Sequence, residues 1–148
     1  MKFFKRMLLV ISALILLLAV AGVTPLSNLN SDEKIERNFL NGLPGVNEQI
    51  LVVKIDDTRA AHPQIGLEYA DVVYVEQVEG GLTRLAAVYS SQLPPLIGPV
   101  RSARISDIEL LAQYGRVGFA YSGAQKKLRP IIAAANLENL SAERHPPS

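Results

Sequence analysis

Glu79-Gly80-Gly81-Leu82 separates two apolar, β-branched runs, Asp71 to Val78 and Thr83 to Ser91. So short a connection between such runs demands a turn with positive φ, which glycine adopts at little steric cost. The pair is predicted to be a β-hairpin, and a hairpin this short commits the chain to a sheet with antiparallel neighbours. Ahead of it lies Ile50-Leu51-Val52-Val53-Lys54-Ile55, a run too short for a buried helix, ended by Asp56-Asp57 and predicted as a central strand.

The remaining punctuation completes the pattern. Pro63 and Gly66 mark 57–66 as a loop, Leu67 to Ala70 suits a single turn, and three prolines with Gly98 make 92–99 a loop or an edge. Ser102 to Gln113 reads as a helix, with Ile105, Ile108, Leu111 and Ala112 on one stripe, Ser102 as N-cap and Gly115 beyond the end. Val117 to Tyr121 is a fourth strand. Ala124 to Leu128 is expected to open a second helix, with Pro130 limiting its extent. The order strand, loop, hairpin, helix, strand, helix predicts an α/β or α+β domain, a single mixed β-sheet with flanking helices, in an incomplete form.

The N-terminus has a different character. Lys2, Lys5 and Arg6 precede Met7 to Val23, which contains no charge. A basic flank followed by an apolar stretch is an export signal, and its length admits both a cleaved signal peptide and an uncleaved anchor, spanning the membrane through residues 7–23 in the second case. Ala19-Val20-Ala21 offers a small-residue cleavage site. The rest of the chain is then expected outside the cytoplasm, membrane-anchored or secreted. Residues 24–47, rich in Pro, Gly and Asn and lacking an apolar period, are assigned to a linker, and residues 48–148 to the folded domain.

Composition narrows the chemistry. Without cysteine, thiol nucleophiles and cysteine-ligated metals are excluded. His62 has no partner at ligand spacing, so no metal site and no cofactor are expected. Outside the first six residues there are 12 basic and 14 acidic side chains, which argues against a general nucleic-acid binder. The charge is unevenly placed: 30–96 holds five basic and ten acidic residues, 97–148 seven basic and four acidic. Ser122 follows a strand as a nucleophile would, but Ala120 stands where a nucleophile elbow needs glycine.

The charged residues concentrate around the hairpin and the helix start. Glu76 and Glu79 flank the turn, where paired carboxylates could divide acid and base roles or hold a hard cation; the alternative is an outward Glu76 and a Glu79 that is solvated or paired with Arg84. Arg101, Ser102 and Arg104 approach or open the helix, and two guanidinium groups beside helix amides form an anion site; the alternative is pairing with acidic residues of the first half. Asp56 ends the first strand, where ligands of open α/β sheets gather. The candidate ligand-binding set is Asp56, Glu76, Glu79, Arg84, Arg101, Ser102 and Arg104, with no catalytic residue assigned. Three functions compete: an extracytoplasmic module binding an anionic ligand or an envelope partner, a cell-wall hydrolase using Glu76 and Glu79, and a structural domain whose charges satisfy one another.

Four ordered blocks add a resemblance. His62-Pro63-Gln64-Ile65-Gly66-Leu67, Ala70-Asp71-Val72-Val73-Tyr74, Val78-Glu79-Gly80-Gly81-Leu82-Thr83-Arg84 and Ile97-Gly98-Pro99-Val100-Arg101-Ser102-Ala103-Arg104 together resemble the YerB-type lipoprotein family of bacteria. The likeness runs from about Leu43 to Gly123. It implies an export-directed bacterial protein with an N-terminal domain of unassigned activity, represented here in part. The chain departs from the family in lacking a cysteine after the apolar stretch, to which a lipid would be attached.

Overall fold

The computed structural model describes residues 35–144. The export segment and His145 to Ser148 lie outside them. Five strands and two helices follow one another: β1 (Leu51–Asp56), β2 (Val72–Gln77), β3 (Thr83–Tyr89), α1 (Ile105–Ala112), β4 (Val117–Tyr121), α2 (Arg129–Ala134) and β5 (Leu137–Ser141). They build one mixed sheet of order β2-β3-β1-β4-β5, an α+β arrangement. β3 pairs antiparallel with both β1 and β2, while β4 pairs parallel with β1 and β5. Parallel neighbours need a crossover, and α2 supplies it between β4 and β5.

β1 is central, and its four inner residues are buried. Alternation then assigns its side chains to two cores. On one face Val52, Val88, Val117 and Phe119 pack with Leu111 of α1 and Ile132 of α2. On the other, Val53, Ile55, Leu85, Ala87 and Tyr89 are covered by Leu67, Ala70 and Ile97 from the loops. Helices therefore cover one side and irregular chain the other.

The sheet departs from the sequence expectation at its edges and helix starts. β5 was not foreseen: Leu-Glu-Asn-Leu-Ser is short and polar, and its place beside β4 comes from pairing. α1 begins at Ile105, and Arg104 rather than Ser102 is the N-cap. The second helix lies at 129–134 instead of opening at Ala124, because proline suits a first turn, where its missing N–H is not needed, better than an end.

Residues 37–47, expected within the linker, are folded against the sheet. Arg37 bridges to Pro44. Buried Asn38 donates from Nδ2 to the Val46 carbonyl at 2.9 Å and to Ser90 Oγ at 3.2 Å. Asp71 accepts from Asn41 Nδ2, from the Ser90 and Ser91 amides and from Ser91 Oγ, joining this segment to the start of β2 and the end of β3.

Candidate functional site

Strand register brings the charges together. Asp56 of β1 is the partner of Arg84 in β3, and Arg84 is the partner of Glu76 in β2. Cross-strand partners share a face, so a row of alternating charge crosses three strands, with Lys54 one step further in on the same side. The row lies on the helix-covered face, where the polar end of the sheet meets the first turn of α1 and the carboxyl end of β1.

The chain from Pro99 to Ala103 positions the arginines. Pro99 accepts from the Asp56 amide at 2.9 Å, and Arg101 donates from its amide to the Lys54 carbonyl at 2.8 Å. Its own carbonyl accepts from the Ser122 amide at 3.0 Å, and the Ala103 amide donates to Gly123 at 2.9 Å. Residues 99–103 therefore wedge between the carboxyl ends of β1 and β4. α1 starts directly afterwards, and its N-terminus is capped from within: the Arg104 amide donates to Asp107 Oδ2 at 2.5 Å.

Two charge systems with different characters result. In the inner one, Lys54 has no solvent exposure and donates to Asp107 Oδ1 at 2.6 Å and to Glu76 Oε1. Ser106 Oγ donates to the other oxygen of Glu76 at 2.8 Å. One ammonium between two carboxylates leaves net negative charge in a dry place. Burial, opposed by Lys54 and reinforced by Glu76, raises the Asp107 pKa to about 6. This cluster pins α1 to β1 and β2.

The outer system is cationic. Arg84 is only 8% exposed, yet its sole polar contact among the described residues is Nη1 donating to the Ser102 carbonyl at 3.4 Å. No fully buried side-chain nitrogen or oxygen among those residues lacks a partner, so the other N–H groups of Arg84 open to the surface. Burial, then the nearby Arg104 and Arg101, lower its pKa. Arg101 reaches Asp56 Oδ2 only at 3.6 Å, and Arg104 Nε meets Glu79 Oε2 at 3.0 Å. Glu79 is 67% exposed on the Gly80-Gly81 turn. Three guanidinium groups thus converge on two weakly held carboxylates.

The sequence-assigned residues fare differently. Asp56, Glu79, Arg84, Arg101 and Arg104 gather in the outer system. Glu76 does not join them; it points under α1 to Lys54, neither solvated nor placed beside Glu79 as a second acid. Ser102 contributes its carbonyl to Arg84, while its hydroxyl faces Ser122 Oγ at 3.3 Å. Glu79 pairs with Arg104, not Arg84. Lys54 and Asp107 were missed, although a lone lysine inside Leu-Val-Val-Lys-Ile-Asp is a signal in itself, since a buried ammonium requires partners.

Beside Arg104 the surface sinks into a cleft of about 390 Å³ between the Glu79 turn, the start of α1 and the chain entering α2.

A mixed five-stranded α+β sheet with a cluster of charged side chains at its strand ends defines the class of domain. The chain belongs to the family described as "Protein of unknown function (DUF3048) N-terminal domain", whose model matches residues 40–147. It is 35% identical over 80 residues to "Putative lipoprotein YerB" of Bacillus subtilis (strain 168), covering 54% of this chain and 21% of that protein. The crystal structure of YerB protein from Bacillus subtilis matches with a TM-score of 0.65 and 29% identity, over 74% of this chain and 39% of that one. The chain therefore spans less than two thirds of the length of either.

Proposed function

We propose that this domain is an anion-binding module of the bacterial cell envelope, with Arg84, Arg101 and Arg104 as the ligand-holding groups and Asp56, Glu79 and the Ser102 backbone at their border. The observation that carries this reading is Arg84: a residue nine-tenths buried whose guanidinium keeps N–H groups open to the surface and makes no ion pair among the described residues. Desolvation and the repulsion of two further arginines, offset only in part by Glu79 and Asp56, disfavour the charge on Arg84, and a bound carboxylate or phosphate would relieve both. Of the amides at the helix start, the one of Arg104 is already taken by Asp107 Oδ2.

The envelope location is supported by the word lipoprotein in the relative's name and by the basic-apolar order of residues 1–23. The hydrolase reading gains nothing from Glu76, whose two oxygens are held by Lys54 and Ser106. The structural reading describes the inner cluster well and the outer arginines poorly.

Titrating the full chain with inorganic phosphate tests the proposal, with thermal unfolding measured alongside. Wild type is expected to bind, and the Arg101→Ala, Arg104→Ala double variant to fold with similar stability and lose binding, since exposed pairs such as Arg101–Asp56 contribute only about 0–1 kcal/mol. A wild type silent to phosphate, together with a strongly destabilised double variant, would make the arginines structural.

A further inference from the structure

The cleft beside Arg104 is not built for an inorganic ion alone. Its floor is Leu128, its walls include Ile105 and Ile131, and Arg104, Glu79 and Lys127 stand on its rim. Ile105 is 59% exposed and Ile131 44% exposed, although each is a large aliphatic side chain on a helix whose opposite face is packed. A mostly apolar depression with a few charged groups on one side is the usual form of a small-molecule site, and its volume falls within the common range of about 300–1,000 Å³. Arg104 belongs both to this rim and to the cationic group of Arg84 and Arg101.

Resting on the anion-binding reading, we infer that the ligand is a monomeric anionic amphiphile: its phosphate or carboxylate head meets Arg84, Arg101 and Arg104, and its hydrocarbon portion lies over Ile105, Leu128 and Ile131. Charge complementarity orients it, since the cations border one end of an aliphatic floor. Glu79 occupies Arg104 in the meantime. It is exposed, sits on a two-glycine turn and offers Arg104 a single carboxylate contact at 3.0 Å. An incoming head group takes its place on the guanidinium, and the turn lets it swing to solvent.

The probes are methyl, butyl and octyl phosphate, each below its micelle-forming concentration, titrated calorimetrically against the full chain. Affinity is expected to rise about fourfold for each methylene that enters the cleft, the ratio set by hydrocarbon transfer from water, until the floor is covered. Ile105→Ser and Ile131→Ser, both at exposed positions, should leave methyl phosphate binding intact and abolish most of the gain from the longer chain. The Arg101→Ala, Arg104→Ala variant should lose all three ligands. Equal affinity for methyl and octyl phosphate would overturn the amphiphile while leaving the anion site standing. A chain-length gain that survives in both serine variants would also overturn it. Binding of none of the three would remove both readings. Attachment only to vesicles containing phosphatidylglycerol, with no response to monomeric octyl phosphate, would place the affinity at a membrane surface and refute the cleft as the binding site.

Discussion

Lys54 Nζ and Asp107 Oδ1 meet at 2.6 Å in the interior, joining the middle of β1 to the first turn of α1 across 53 positions of sequence. Glu76 shares the same ammonium from β2, so one lysine sets where the helix starts relative to two strands. The position of Arg104 depends on that placement, because it is the residue immediately before the helix.

Removing the shared cation should therefore cost more than removing one of its anions. Lys54→Met leaves two carboxylates without it, and a loss of about 3–5 kcal/mol is expected in denaturant unfolding. The Lys54→Met, Asp107→Leu double variant should recover part of that loss. If the double variant is no better than the single one, packing of the lysine stem and not its charge is what matters.

The same cluster predicts a pH dependence. Asp107 binds its proton more tightly in the folded chain, at about 6, than at its ordinary value of 3.8. Between those values the folded state holds more protons, so the contribution of this group to stability falls as pH rises from about 4 to about 6. It is largest below the ordinary pKa. Subtracting the unfolding free energy of Asp107→Asn from that of wild type across pH 4–7 should give a curve with this slope. A difference that instead rises with pH would mean that Lys54 outweighs burial and holds Asp107 ionised.

Glycine substitutions should separate conformation from crowding. Gly80 has φ of +74° with no atom within 4 Å of an added Cβ, so Gly80→Ala should cost about 1–2 kcal/mol from backbone conformation alone. Gly66 has φ of +77° and its Cβ would stand 2.4 Å from the Leu96 carbonyl oxygen. Gly66→Ala should be clearly worse. Equal melting temperatures for the two variants would show that the loop layer over β1 and β3 yields freely.

Glu79→Gln should tighten phosphate binding, by severalfold, because it removes the carboxylate that competes for Arg104. A weakened response would make Glu79 part of the ligand's own contacts. Melting temperature should hardly change, since the pair it breaks is exposed and screened by solvent.

Properties set within a few residues of one another could be read directly from the chain. The strand runs at 51–56, 72–77, 83–89 and 117–121 were legible because a short apolar, β-branched run is a local property, and the two-glycine turn because φ is a property of one residue. The family blocks around His62, Glu79 and Arg101 were legible for the same reason, and the family match bears them out. The cluster of arginines could also be named, since residues 101 and 104 are neighbours in the chain. Which carboxylate each would meet could not. Glu76 turned inward to Lys54 because strand register put it on the helix-covered face, and Glu79 went to Arg104 because α1 begins three residues after Ser102 and not at it. β5 is a strand because β4 offers it a free edge, not because Leu-Glu-Asn-Leu-Ser prefers to be one. Partners 22 to 53 residues apart are chosen by register, helix start and burial together, and those are decided only when the whole sheet closes over its two cores.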